Sequence, residues 1–236
     1  LKLNKLRMKL LLLSNSTNPG QPYLNWPLDY IDRFLGSIRN AVFIPYAAVS
    51  FSYDDYETMV NKALVERGIT VTSIHHSNNP ALTIKNAEAI LVGGGNTFHL
   101  MHMMEELDIK EAIRSKVKAG APYIGWSAGS NATCPTIRTT NDMPIIEPKS
   151  FEALNLVPFQ INPHYTENTI PGHGGESRLQ RLTEYSAIND IPVVCLPEAC
   201  AIRIDDNGTR LLSAEPVKII YKGGVVKSLH NGIVDL

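Results

Sequence analysis

Three short runs in the first half of the chain are apolar throughout: Leu10 to Leu13, Ala41 to Ile44, and Ala89 to Val92. A strand with one face in water alternates polar and apolar residues; a strand apolar at every position must be covered on both faces. Longer stretches of helical spacing separate these runs. They span about Leu24 to Leu35, Tyr53 to Arg67 with Gly68 at the C-cap position, and Thr97 to Ala119 with a break near Leu107-Asp108. Strand-like Thr70 to His75 and Tyr123 to Gly125 extend the alternation, as do helical Leu179 to Ala187 and the strand Ile191 to Leu196. The pattern predicts an α/β fold, a mostly parallel sheet with helices on both faces.

The tail has a different rhythm. Ala201 to Asp205 and Thr209 to Ser213 flank Asn207-Gly208, and Val217 to Tyr221 and Val225 to Leu229 flank Gly223-Gly224. These are hairpin signals, and they predict short antiparallel strands at the C-terminus, appended to the main sheet. With 236 residues and no linker-like tract, residues 8–236 read as one α/β domain. Met8 is the expected initiator, which makes 1–7 an upstream extension or an expression remnant. The basic start followed by Leu10 to Leu13 is too short for a signal-peptide core and has no cleavage site after it.

A formal net charge of −1 gives no field to draw the chain to nucleic acid or an anionic membrane, and no apolar run has the length of a membrane span. The three cysteines, Cys134, Cys195 and Cys200, lack CxxC spacing, so reduced thiols in a cytoplasmic protein are expected. No metal is expected either: His99 and His102 lie three apart in a Met-rich helical stretch, without a third ligand at suitable spacing.

Open parallel sheets collect ligands outside the carboxyl ends of their strands. Ser14-Asn15-Ser16, Gly93-Gly94-Gly95-Asn96-Thr97, Ser127 and Pro197-Glu198 all fall at such ends. Gly125-Trp126-Ser127-Ala128-Gly129 has the form of a nucleophile elbow, in which glycines let a strand turn sharply into a helix and leave the serine hydroxyl exposed. The Ala128 N–H would then face a developing oxyanion, with an N–H from Gly94 or Gly95 beside it. The Gly93–Gly95 run itself has neither the lysine of a P-loop nor dinucleotide-loop spacing.

A serine hydroxyl needs a base. Of seven histidines, His164 is the best placed, just past the apolar run Val157 to Asn162 and fixed by Pro163; His173 lies in a glycine-rich loop. Two acids compete to orient it. Glu198 follows the strand Ile191 to Leu196, and so is expected on the same sheet edge as Ser127; strand ends are rigid platforms, which favours it. Asp142 would give the Ser–Asp–His chain order of α/β hydrolases.

Several motifs together resemble the dipeptidase E family of α-aspartyl dipeptidases. They are Leu11 to Thr17 (LLLSNST), Val92 to Phe98 (VGGGNTF), Tyr123 to Gly129 (YIGWSAG), Cys134 to Pro144 (CPTIRTTNDMP), Ile161 to His164 and Gly175 to Arg178. The resemblance runs from Met8 over nearly the whole chain and departs at Ala199, where bacterial relatives tend to have glycine. It implies a serine peptidase on a class I glutamine amidotransferase-like, flavodoxin-like scaffold, cleaving dipeptides after an N-terminal aspartate. It also implies Ser127 as nucleophile, His164 as base, and Asp142 or Glu198 as the acid.

An aspartyl side chain calls for a fixed cation, and arginine matches a carboxylate with two parallel hydrogen bonds. Arg178 is the first candidate, Arg138 the second, and Glu176 is a possible acceptor for the substrate ammonium. A small dipeptide is the expected partner, with no cofactor, no nucleic acid and no membrane, and the chain is expected as a monomer or homodimer. Two other functions fit the same residues: a cyanophycinase-like hydrolase of aspartyl-linked polymers, and a non-catalytic small-molecule binder. A glutamine amidotransferase is disfavoured because its elbow carries cysteine.

Overall fold

Leu10–Leu13 form strand β1, and every one of its four leucines is fully buried. The computed structural model describes residues 8–169, 171–172 and 174–236; residues 1–7, Ile170 and His173 lie outside the described residues. Four more strands lie parallel with β1: β2 (Asn40–Ile44), β3 (Thr70–Ser73), β4 (Ile90–Val92) and β5 (Tyr123–Trp126), in the order β1-β5-β4-β2-β3.

Successive side chains on a strand point to opposite faces, so each apolar run feeds two cores. Leu10, Leu12, Ile44, Ile90 and Val92 enter one core; Leu11, Leu13, Phe43, Leu91 and Trp126 enter the other. Helices α1 (Leu28–Leu35) and α2 (Tyr53–Leu64) cover the second face through Ile31, Phe34, Tyr56 and Val60. Helices α3 (Pro80–Asn86), α4 (Thr97–Glu106) and α5 (Lys110–Lys118) cover the first through Ile84, Leu100, Met104, Ile113 and Val117. The expected break falls between α4 and α5, where Asp108 has φ 50°.

Short helix α6 (Ala128–Asn131) follows β5 directly. The chain then passes through β6 (Gln160–Asn162), α7 (Arg178–Ile188) and β7 (Val193–Cys195), followed by β8 (Ala201–Asp205), β9 (Gly208–Leu212), β10 (Val217–Tyr221), β11 (Val225–Leu229) and β12 (Gly232–Ile233). The tail hairpins do not all join the main sheet as the sequence suggests. β8 pairs antiparallel with β1 and carries β9 and β12 with it, whereas β10 and β11 join β7 and β6 in a separate four-stranded sheet, ordered β11-β10-β7-β6.

The reason is occupancy. β8 fills the free edge of β1, so β7 must find its partners elsewhere. Alternation along the small sheet then serves two cores: Val194, Ile161 and Ile219 pack against the main sheet's first face, while Val193, Cys195 and Ile220 pack with Leu182 of α7. Among the described residues, no helix is long and apolar enough to cross a membrane.

Candidate active site

The turn from β5 into α6 is set by two glycines that leave no room for a side chain. A Cβ on Gly125 would lie 2.4 Å from the Gly129 carbonyl oxygen, and a Cβ on Gly129 would lie 2.2 Å from the Val92 oxygen. Between them Ser127 is forced to φ 53° and ψ −111°, a sparsely populated conformation that persists only where its surroundings over-determine it. Those surroundings are visible. Ser127 N–H donates to Leu13 O, the Ser130 hydroxyl bonds Leu13 O and Gly125 O, and the N–H groups of Ser130 and Asn131 donate to Ser127 O.

His164 arrives from the small sheet. Its Nε2 lies 2.9 Å from Ser127 Oγ, and its Nδ1 lies 3.0 Å from Glu198 Oε1. A carboxylate can only accept, so Nδ1 carries the proton and Nε2 offers its lone pair to the serine hydroxyl. Glu198 does not reach this position along the main sheet's edge, as expected from the sequence, because the preceding strand β7 belongs to the small sheet.

Ser14, at the end of β1, ties the two sheets together. Its buried hydroxyl accepts the His164 N–H at 2.8 Å and donates to Leu196 O at 2.8 Å. Beside it, Asn15 Oδ1 accepts the Ala199 N–H at 2.8 Å and so holds the backbone just after Glu198. Ala199 has φ 59°, a left-handed conformation in which glycine is at ease, and it is the position where the sequence departs from the resemblance.

Asp142 is not at His164. Its Oδ2 accepts from Thr97 N–H at 2.7 Å, Thr97 Oγ1 at 2.6 Å and Thr140 Oγ1 at 3.0 Å. It lines a cavity of about 580 Å³ whose lining also includes Gly94, Gly95, Ser127, His164 and Arg178. Arg178 is the first residue of α7, behind a capping box made by Ser177 and Gln180. Its guanidinium donates to His164 O at 3.2 Å, and no carboxylate pairs with it among the described residues. Burial pulls its pKa below the usual arginine value, the mark of a cation short of solvent.

The remaining candidates lie elsewhere. Arg138 is exposed, with its guanidinium 5.6 Å from the centre of the Phe151 ring, and does not line the cavity. Glu176 is exposed too, on a smaller neighbouring hollow. Nδ1 of His99 binds Tyr46 O at 2.6 Å, which braces a loop. The cysteines are free and buried, and burial pushes Cys134 and Cys195 up to about 12 and Cys200 up to about 11, so all three are neutral thiols near pH 7.

Two residues that the sequence did not single out shape the glycine loop. Tyr56 Oη donates to Gly94 O at 3.0 Å and accepts from Trp126 Nε1 at 3.0 Å. In a trans peptide N–H and C=O point opposite ways, so anchoring Gly94 O on Tyr56 turns the Gly95 N–H away from it. Gly94 itself packs on the Ser127 turn, where a Cβ would meet Ser127 Cβ at 3.0 Å. Tyr56 could not be read as functional from the sequence, because a tyrosine on the buried stripe of a helix looks like core.

Comparison with known proteins agrees with this architecture. The chain is 52% identical over 217 residues to Peptidase E of Nostoc sp. (strain PCC 7120), covering 91% of this chain and 90% of that one. Peptidase E of Shewanella denitrificans is 47% identical over 203 residues, 86% of each chain. The crystal structure of a peptidase from an acI-B1 Actinobacterium superposes with TM-score 0.69 over 98% of both chains at 16% identity, so it shares the fold. The protein is thus a peptidase, a hydrolase on an α/β scaffold. The Peptidase family S51 profile matches residues 10–212, and the chain belongs to that family.

Proposed function

We propose that this peptidase is serine-type and hydrolyses dipeptides with N-terminal aspartate through an acyl-enzyme. The observation that carries the reading is the continuous chain Ser127 Oγ, His164 Nε2, His164 Nδ1, Glu198 Oε1, with links of 2.9 and 3.0 Å. In this mechanism Ser127 Oγ attacks the peptide carbonyl as its proton passes to His164 Nε2. Glu198 stabilises the imidazolium, and the Ala128 N–H with the Gly94 or Gly95 N–H receives the oxyanion. His164 then returns the proton to the leaving amine, and water cleaves the aspartyl ester by the same steps in reverse order. Release of leucine from Asp-Leu is the assay.

Arg178 and Asp142 supply the selectivity. The half-buried, carboxylate-free guanidinium suits the substrate's aspartyl side chain. The Asp142 carboxylate, pinned by two threonines on the cavity wall, suits the free ammonium that marks a first residue. This reading reassigns Asp142 from orienting acid to substrate anchor, and the two roles separate kinetically. Glu198→Gln is expected to lower kcat by about 10²–10⁴-fold with KM nearly unchanged. Asp142→Asn is expected chiefly to raise KM, by about 10–100-fold, the loss of one charge-assisted hydrogen bond. If Asp142→Asn suppressed kcat and Glu198→Gln did not, the acids would be the other way round.

Arg178→Ala tests the substrate class. The expected result is a loss of about 10²–10³-fold in kcat/KM for Asp-Leu, with little change for the slow cleavage of Ala-Leu. An equal loss on both substrates would assign Arg178 to bracing His164 O alone. Comparing Asp-Leu with β-aspartyl-arginine on wild type distinguishes a dipeptidase from a hydrolase of aspartyl-linked polymers.

A further inference from the structure

At the far edge of the parallel sheet, the end of β3 and the first turn of α2 bring together donors that the peptidase reaction does not use. Asp54 Oδ1 lies 3.0 Å from His75 Nε2 and 3.6 Å from His76 Nε2, and the three ligand atoms all lie within 4.8 Å of one another. Glu57 Oε2 is 2.8 Å from the same His76 Nε2. Ligands on a tetrahedral zinc at 2.0–2.1 Å stand about 3.3 Å apart, a value that the two Asp54–imidazole separations straddle.

The cluster is also braced from behind. The Oγ of Ser73, which is 1% exposed, contacts His75 Nδ1 at 2.6 Å, and the Ser73 N–H donates to Glu57 Oε1 at 2.6 Å. One buried residue therefore orients an imidazole and a carboxylate, as the supporting partners of metal ligands do. When His75 Nδ1–H donates to Ser73, Nε2 turns a bare lone pair towards the Asp54 carboxylate. Only a proton or a metal cation between them makes that contact attractive.

We infer that Asp54, His75 and His76 form a site for a first-row divalent cation of the zinc type, with a fourth position open to water. Two imidazoles and one carboxylate suit zinc or cobalt; magnesium and calcium prefer all-oxygen shells. The cation would clip the first turn of α2 to the turn that follows the edge strand β3. Since α2 also carries Tyr56, which anchors the glycine loop, the clip steadies the peptidase site without touching substrate. The sequence expectation of no metal looked to His99 and His102, and missed this site because Asp54 and His75 meet only through the fold.

The test is a zinc titration of the full chain against a fluorescent chelator, compared with His76→Asn. Asparagine replaces a half-exposed side chain, so fold and chelator-treated peptidase activity should be unchanged. Wild type is expected to take up one equivalent that the variant binds at least about tenfold more weakly. At hundredfold excess over Kd, zinc should raise the wild-type Tm by about 5–10 °C and leave the variant where it was. Cobalt should give the visible absorption of a four-coordinate ion in wild type and in Ser127→Ala, but not in His76→Asn. Absence of a zinc equivalent in wild type, or equal binding by the variant, would overturn the assignment.

Discussion

Ser127→Ala is expected to lower kcat on Asp-Leu by about 10⁵-fold or more, while the protein stays folded and keeps its substrate affinity. Both halves of this result follow from the local structure. In the proposed mechanism the hydroxyl is the group that reacts, and it is hydrogen-bonded to His164 Nε2. The turn that places it is built from backbone bonds and flanking glycines, which alanine leaves intact. Alanine is no more strained than serine at φ 53°. Tm should therefore move by no more than about 2 °C, within the range of an ordinary surface substitution. Dipeptide binding by calorimetry should survive. A variant that turned over at a tenth of the wild-type rate would remove Ser127 from the chemistry.

Gly129→Ala is the converse case, a change that touches no reacting atom and yet is expected to be the most damaging to the fold. The new Cβ would lie 2.2 Å from Val92 O and 2.9 Å from Val92 C, and it would press on Val92 Cβ at 3.1 Å. The first two are main-chain atoms of β4, a buried strand paired on both sides, and the Cβ is fixed by that main chain, so no side-chain rotation can relieve the clash. Either α6 lifts off the sheet or β4 leaves its register. The Tyr123 hydroxyl bond to Gly129 O would be lost in the first case. The expected loss is about 4 kcal/mol or more, the upper tail for single substitutions, read as a fall in Tm of about 8–16 °C or as insoluble protein. Gly174→Ala, with nothing within 4 Å of the added Cβ, is the control and should be neutral. A Gly129→Ala protein as stable as wild type would mean that the close helix–strand approach is not required.

These two sites on one turn show why some of the molecule was legible in the sequence. The strands β1, β2 and β4 announce themselves because burial on both faces demands apolar residues at every position. The elbow is legible because close backbone approach demands glycine at Gly125 and Gly129, and such demands are written at fixed spacing. What depended on pairing between distant segments was not legible. The tail strand β10 matches a hairpin pattern whichever sheet accepts it; only the capture of β1's edge by β8 sends it to the small sheet. Asp142 and Glu198 both stand at plausible places along the chain; the strand end before Glu198 favours it, but local spacing does not show which carboxylate faces an imidazole. The answer lies in Ser14, whose single hydroxyl links His164 N–H to Leu196 O across 150 and 182 residues. The Tyr56–Trp126–Gly94 arrangement was hidden for the same reason.

The central claim is that Ser127 becomes esterified during turnover, and the most direct measurement is to trap that ester. Wild-type protein mixed with aspartyl p-nitroanilide, quenched in acid within the first turnovers and digested, is expected to carry an aspartyl adduct on the peptide containing Ser127. The adduct should form together with the first equivalent of nitroaniline, and should be absent from Ser127→Ala. Turnover of the anilide with no adduct at any quench time, or an adduct on another side chain, would contradict the account.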